Sequence, residues 1–210
     1  MDLPNPAVVV IDMHRGSCEA PGTVFVPRSS TIMAPLQKLL REARSINVPV
    51  IFVNYQARSK GSDAKNPFWT NGEIGKLYPR VGEQTEGSFW AEVMPELEPV
   101  RSDFYVNTKR RYSSFYGTDF DLLLRNLNVL TVIFTGVLTE ICVLCSAFEA
   151  FNRDYRVVVV RDCTAGRDPE IESSVLDRII ALEVGWVRNS GEIISSLHQT
   201  TTNKEKEDRS

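Results

Sequence analysis

Three residues that can act together on a carbonyl group stand at or just past the ends of predicted strands: Asp12, Lys109 and Cys142. A thiolate is a strong nucleophile, and a carboxylate can carry a proton between the sulfur and a leaving group. An ammonium beside the thiol favours the charged sulfur and stabilises a developing oxyanion. Together the three groups are sufficient for covalent catalysis at a carbonyl carbon.

Cys142 is predicted to lie in the first turn of a helix, with Thr139 as the N-cap. Free backbone amides and the positive end of the helix dipole lower a cysteine pKa from about 8.5 to roughly 3.5–7.5. We therefore expect a thiolate at neutral pH. The alternative is a small buried apolar side chain, which is the usual fate of a free cysteine.

Lys109 and Asp12 also have simpler interpretations. Taken alone, Lys109 is typical of a solvated surface lysine, and Asp12 could cap the turn that follows it. However, Asp12 ends the apolar run Ala7-Val-Val-Val-Ile-Asp12, and a carboxylate at a buried strand end needs a partner. Lys109 is the candidate for that partner.

Other groups could hold a substrate. The turn 136–139 leads into the Cys142 helix, and its amides with that of Cys142 could form an oxyanion hole; an ordinary tight turn is the alternative. Arg167 follows a strand and a turn, where a guanidinium can bind a carboxylate with two hydrogen bonds; pairing with Asp168 is the alternative. Four aromatic residues could wall an apolar pocket, although such spacing is more typical of core residues: Trp69, Trp90, Tyr112 and Phe115.

Cys142 and Cys145 form a C-x-x-C at a helix start, the spacing of a dithiol redox pair. The bulky apolar residues between them turn Cys145 inward, so this redox interpretation is the weaker alternative. The only histidines, His14 and His198, form no zinc motif, and the sequence has no glycine-rich phosphate loop. We expect neither a metal nor a cofactor.

Strand and helix patterns alternate along almost the whole chain. Strands are predicted over 7–12, 48–53, 104–108, 129–137, 156–162 and 185–188. Helices are predicted over 32–45, 116–126, 140–153 and 172–183, followed by a last helix capped by Ser190. This alternation predicts a mostly parallel sheet with helices on both faces. The active crevice of such a sheet lies past the carboxyl ends of its strands, where the three chemical residues fall.

Size and composition indicate one globular domain over 1–199, with a polar, disordered tail over 200–210. The net charge of −3 and the scattered lysines and arginines give no footprint for nucleic acid or a membrane surface. Four cysteines are too few for a disulfide scaffold. The chain start lacks a secretory signal, so we expect a cytoplasmic protein. The expected partner is a small molecule.

Three segments together resemble the isochorismatase-like cysteine hydrolase superfamily, and the match covers roughly residues 7–197. They are Val-Val-Ile-Asp-Met (9–13), Lys-Arg-Arg-Tyr-Ser-Ser-Phe (109–115) and Thr-Gly-Val-Leu-Thr-Glu-Ile-Cys-Val (135–143). The resemblance implies an α/β fold: a doubly wound, Rossmann-like three-layer sandwich with a central six-stranded, mostly parallel sheet. It also implies a homodimer or homotetramer.

The same resemblance implies a catalytic triad of Cys142, Lys109 and Asp12. It implies a cis peptide bond between Val137 and Leu138, with the backbone amides of Leu138 and Cys142 as the oxyanion hole. Tyr112, Trp90 and Arg167 are the predicted substrate-binding side chains.

Branches of the superfamily differ at positions that can be read here. Nicotinamidases carry metal-binding histidines where this chain reads Asn54-Tyr-Gln56, and isochorismatases proper, which cleave a vinyl ether, lack the cysteine. Metal-free amidohydrolases of the N-carbamoylsarcosine, ureidoacrylate, biuret and maleamate types remain. Arg167 matches a carboxylate-binding arginine of the N-carbamoylsarcosine branch, and His14 stands where many members have glutamine.

The predicted activity is cysteine-dependent hydrolysis of a C–N bond in a small amide or N-carbamoyl acid. Ammonia leaves through a covalent thioester-type intermediate. Vinyl ether hydrolysis and the Cys142/Cys145 redox protein are the alternatives.

Overall fold

Runs of buried β-branched residues build a central sheet in the computed structural model, which describes residues 1–58 and 73–207. The strands are β1 (Pro6–Ile11), β2 (Val50–Tyr55), β3 (Phe104–Lys109), β4 (Thr131–Val137), β5 (Arg156–Ala165) and β6 (Trp186–Arg188). Their spatial order is β3-β2-β1-β4-β5-β6, and every neighbouring pair is parallel. Residues that are apolar along the whole strand suit a sheet covered on both faces.

Helices cover both faces of this sheet. Five of the described helices are regular: α1 (Arg15–Cys18), α2 (Ser29–Ser45), α3 (Glu73–Leu77), α4 (Phe120–Asn126) and α7 (Ser190–Glu207). Two others change type along their length. Helix α5 begins as a π-helix (Thr139–Val143) and continues as an α-helix (Leu144–Phe151), whereas α6 begins as an α-helix (Pro169–Ser174) and continues as a π-helix (Val175–Val184). Val8 and Val10 of β1 pack with α2 and α7, whereas Val9 packs with α4, α5 and α6. The predicted doubly wound, three-layer sandwich with a six-stranded sheet is confirmed.

The strand order reverses between β1 and β4, and this switch point brings the ends of both strands together. Ile11 pairs with Gly136 in the last register position of the two strands. A Cβ at Gly136 would lie 2.0 Å from the carbonyl oxygen of Ile11, and Gly136 has a φ of +99°. Only glycine allows this close approach, which places the β4–α5 turn against the end of β1.

Several predicted helix starts differ from the structure. Thr139 is the first residue of α5 rather than its N-cap, and α2 begins at Ser29, before the predicted residue 32; neither helix has a side-chain cap hydrogen bond. The helix predicted from residue 116 begins at Phe120, after a turn in which Gly117 has a φ of +66°. Asp168 caps α6 by accepting hydrogen bonds from the Glu170 and Ile171 amides, so that helix begins at Pro169, before residue 172.

The end of the chain also differs from its prediction. We expected disorder from residue 200, but α7 continues to Glu207. The segment 200–207 contains neither glycine nor proline and several good helix formers, so nothing in its sequence stops the helix. The segment 56–90 between β2 and β3 contains α3 and short 3₁₀ turns at Val81–Glu83 and Phe89–Ala91, and part of it lies outside the described residues.

Two leucines on α4 provide a test of the sheet–helix packing. Leu124→Ala should lower the free energy of unfolding by about 2–5 kcal/mol, because Leu124 is fully buried and its loss leaves a cavity. Leu122→Ala is the matched control, since Leu122 is 63% exposed and should cost less than about 0.5 kcal/mol. Urea unfolding measures both; equal losses would contradict the packing.

Candidate active site

The carboxylate of Asp12 is fixed at the carboxyl end of β1. Asp12 has a left-handed backbone conformation, with a φ of +52°, which aspartate tolerates better than most residues. Its amide donates to the Val53 carbonyl (3.0 Å), and its Oδ1 accepts from the Tyr55 amide (2.6 Å). Oδ2 is therefore left to face the neighbouring strand ends.

Lys109 is the last residue of β3, and only 1% of it is exposed. A buried ammonium needs compensation, and here its Nζ donates to Asp12 Oδ2 at 2.5 Å. The same Nζ lies 3.5 Å from the sulfur of Cys142. The structure thus brings the three predicted catalytic side chains together, with the lysine between carboxylate and thiol.

Cys142 lies in the π-helical turn that opens α5, and the residue is half-buried. The peptide bond between Val137 and Leu138 is cis, as the family resemblance implied. Leu138 and Cys142 both line the cavity above the sulfur, so the two residues expected to form the oxyanion hole border the same space. The Leu138 carbonyl accepts from the amides of Ile141 and Val143, which holds the turn against the helix.

Two serines connect the helix of Cys142 to the segment after β3. The hydroxyl of Ser146 donates to the Cys142 carbonyl oxygen at 2.7 Å and accepts from the Ser114 amide at 3.0 Å. Both serines are buried. Sequence reasoning used the segment 109–115, which contains Ser114, but missed this connection; a serine four residues after the cysteine was its only signal.

Electrostatics revise the expected protonation state of Cys142. Burial raises the pKa of its thiol well above the ordinary value; Lys109 opposes this effect, and the Asp12 carboxylate adds to it. For Lys109, burial acts to lower the pKa, but the charges of Asp12 and Cys142 outweigh burial and raise it. Burial and the charge of Asp12 thus favour a protonated thiol beside the Asp12–Lys109 ion pair, in contrast to the resting thiolate that the helix position predicts.

His14 is fully buried, and its imidazole is neutral at pH 7. Burial lowers its pKa to about 4; Asp12 opposes this shift, and Lys109 adds to it. Nδ1 accepts from the Ser17 amide at 3.2 Å, so His14 caps α1. The ammonium of Lys109, not the imidazole, contacts the sulfur.

A cavity that is partly open to solvent lies above Cys142. Its lining includes, besides Asp12, Lys109, Cys142 and Leu138, the side chains Tyr55, Tyr78, Val81, Arg111, Tyr112 and Arg167. Arg167 Nε donates to the Tyr78 hydroxyl at 2.7 Å, and its guanidinium lies 5.2 Å from that ring. Tyr78 was not found by sequence reasoning, because no local motif marks it in the segment between β2 and β3.

Other predicted residues lie elsewhere. Trp90 is not part of the described cavity lining; its ring packs against Phe89 and the guanidinium of Arg80, so we do not place it in the site. Phe115 packs in the core against Phe120. Trp69 lies outside the described residues. Which aromatic side chains face the cavity depends on packing between segments that lie far apart in the chain. The spacing of the aromatic residues in the sequence therefore does not identify them.

Cys145 lies one turn beyond Cys142, is half-buried and is absent from the described cavity lining. Burial raises its pKa, and Lys109 partly opposes the shift. Because only Cys142 of the two thiols borders the described cavity, the site favours chemistry at a single sulfur over dithiol exchange.

Within residues 1–58 and 73–207, no group of three or more His, Cys, Asp or Glu side chains could hold a metal ion. No helix in them is both long and apolar enough to cross a membrane.

The chain belongs to the isochorismatase family, whose members are hydrolases: the isochorismatase domain model matches residues 6–192. A solved cysteine hydrolase from Pseudomonas syringae pv. phaseolicola is 31% identical to it, with a TM-score of 0.83 over 93% of each chain. N-carbamoylsarcosine amidase from Thermoplasma acidophilum is 29% identical, with a TM-score of 0.71 over 90% of this chain and 97% of that chain. The ureidoacrylate amidohydrolase RutB of Pseudomonas syringae pv. syringae is 28% identical over 195 residues, which cover 86% of this chain and 79% of that protein.

The protonation state of Cys142 can be tested by alkylation. The rate of iodoacetamide labelling of Cys142 should keep rising beyond about pH 8.5, the ordinary cysteine pKa, because burial holds the thiol protonated at neutral pH. Peptide mass spectrometry measures the rate, and Cys142→Ala identifies the adduct by its absence. A rate that levels off below pH 7 would show a resting thiolate and contradict this assignment.

Proposed function

We propose that this protein is a cysteine-dependent amidohydrolase that cleaves a C–N bond of a small amide or N-carbamoyl acid and releases ammonia. The observation that carries the proposal is the series of buried Asp12, buried Lys109 and half-buried Cys142, joined by contacts of 2.5 and 3.5 Å in the lining of one cavity. Relatives named ureidoacrylate amidohydrolase and N-carbamoylsarcosine amidase support this reaction class.

The protonated thiol makes Asp12 the base of the first step. When a substrate carbonyl lies over the sulfur, Asp12 accepts the thiol proton and Cys142 attacks the carbonyl carbon. Lys109 keeps its proton and stabilises the negative charge, which forms first on sulfur and then on the substrate oxygen. The backbone amides of Leu138 and Cys142 are the proposed donors to that oxygen.

Collapse of this adduct expels the nitrogen. Asp12 returns its proton to the leaving amine, ammonia departs, and the acyl group stays on Cys142 as a thioester, or as a thiocarbamate when the substrate is an N-carbamoyl acid. Asp12 then removes a proton from water, which attacks the same carbon. The thiol is regenerated when Asp12 passes that proton to the sulfur.

Arg167 supports an acidic substrate. Its Nε is held by Tyr78, whereas its two terminal nitrogens have no hydrogen-bond partner in the described part of the chain. A guanidinium held in this way can bind a carboxylate with two parallel hydrogen bonds. We therefore propose a substrate with a carboxylate at one end and an amide or carbamoyl group at the other. Assembly as a homodimer or homotetramer and residence in the cytoplasm stay predictions.

Covalent catalysis predicts that Cys142→Ala lowers ammonia release by at least about a thousandfold, because no other group replaces the nucleophile. The measurement is coupled ammonia detection across a panel of N-carbamoyl amino acids and small amides, with circular dichroism to show that the fold is kept. Cys145→Ser is the matched control and should retain activity. Loss of activity in Cys145→Ser with full turnover in Cys142→Ala would overturn the proposal.

The role of Arg167 can be separated from chemistry at sulfur. Arg167→Ala should lower kcat/KM for an N-carbamoyl amino acid by about 10–100-fold, because a charge-assisted contact to the carboxylate is lost. The neutral methylamide of the same compound should change less than about threefold. Arg101→Ala, which removes an exposed arginine, controls for the change in net charge. Equal losses on acid and methylamide would contradict carboxylate recognition.

A further inference from the structure

Three side chains from separate segments of the chain hold the backbone that carries Arg167. The Gly166 amide donates to Glu172 Oε2 (2.7 Å), and the Gly166 carbonyl accepts from Arg28 (3.3 Å). The Arg167 amide donates to Glu140 Oε1 (3.0 Å), and Arg28 also pairs with Glu172. An otherwise exposed arginine is thus attached to a rigid backbone, although its strand has already ended at Ala165.

Glu140 is the member of this group that connects Arg167 to the nucleophile. It lies two residues before Cys142 in the π-helical turn that opens α5. A shift of that turn would therefore move the thiol and the hydrogen bond to Arg167 together. Cys142 and Arg167 line the same cavity, so this connection fixes the separation of the two groups that the proposed substrate must bridge.

The surroundings of Glu140 are shaped to keep its carboxylate in place. A Cβ at Gly166 would lie 2.2 Å from Glu140 Oε2, so position 166 has no room for a side chain. Oε2 is itself buried and has no hydrogen-bond partner among the described residues. A buried carboxylate oxygen without a partner costs free energy, so stability alone gives no reason for a glutamate here.

We propose that Glu140 is a positioning residue that sets the distance between Arg167 and Cys142 and thereby the selectivity for substrates with a carboxylate. This inference rests on the proposed function for its substrate class. It extends that function by assigning selectivity to a residue that touches neither the substrate nor the reacting atoms.

The experiment compares two alkylating agents that differ in charge. Iodoacetate and iodoacetamide both transfer their CH₂ carbon to the Cys142 sulfur and release iodide, but only iodoacetate offers a carboxylate to Arg167. The ratio of their rates at Cys142 therefore reports, without any hydrolysis, how strongly a carboxylate favours reaction at this sulfur.

Glu140→Ala should lower the ratio of the iodoacetate rate to the iodoacetamide rate about tenfold relative to wild type, the effect of losing one charge-assisted hydrogen bond. Glu140→Gln keeps an acceptor for the Arg167 amide and should stay within about threefold.

A double-mutant cycle separates positioning from general disruption. In the Arg167→Ala background, Glu140→Ala should change the ratio by less than about twofold, because the group that it positions is gone. Equal effects with and without Arg167, or an unchanged ratio in Glu140→Ala, would overturn the proposal. Thermal unfolding of each variant shows that the fold is kept, and Glu140→Gln serves as the milder variant if Glu140→Ala unfolds.

Steady-state kinetics then distinguish failure of this inference from failure of the proposed function. Glu140→Ala should raise KM for an N-carbamoyl amino acid about tenfold and leave kcat within about twofold. A wild-type protein that hydrolyses no member of the substrate panel would refute the amidohydrolase proposal. The alkylation cycle would still decide whether Glu140 positions Arg167. An equal rise in the KM of Glu140→Ala for the acid and for its methylamide would refute only the proposal that Glu140 sets the selectivity for a carboxylate.

Discussion

The buried ion pair between Asp12 and Lys109 is the interaction on which the site depends. Removing two charges from water is costly, so the pair persists only because the geometry is close and the remaining carboxylate oxygen is bound by the Tyr55 amide. That arrangement needs β1, β2 and β3 side by side with their carboxyl ends together. The parallel sheet thus allows the Lys109 ammonium to be buried, because it places the ammonium against the Asp12 carboxylate, and it also brings the ammonium beside the sulfur of Cys142.

In the proposed mechanism, the ion pair also explains how a protonated thiol can be a competent nucleophile. Burial raises the pKa of Cys142, so in this mechanism the sulfur stays uncharged until a substrate binds. The adjacent carboxylate can then accept the proton, and the adjacent ammonium stabilises the charge left on sulfur. A thiol activated on demand is less exposed to unwanted alkylation and oxidation than a permanent thiolate, since the thiolate is the reactive form.

The arginine proposed to bind the substrate lies on a different part of the fold from the groups proposed for the chemistry. Arg167 lies beyond β5, where the backbone is held by Glu140 of α5, Glu172 of α6 and Arg28, which directly precedes α2. Asp12, Lys109 and Cys142 come from the ends of β1 and β3 and from the turn that opens α5. In the proposed function, this division separates carboxylate binding from the chemistry at sulfur, because loops after strands can change without moving the ion pair.

The sequence by itself determined the sheet, its helical layers and the edge at which Asp12, Lys109 and Cys142 meet, because strand patterning is local and parallel topology fixes which ends come together. Only the tertiary structure decided the protonation state of Cys142, since burial depends on packing from distant segments. It also decided that Trp90 lies outside the cavity lining and that Thr139 begins α5 instead of capping it. The hydrogen bond from the Arg167 amide to Glu140 joins residues far apart in the chain, and no local sequence pattern predicts such a contact.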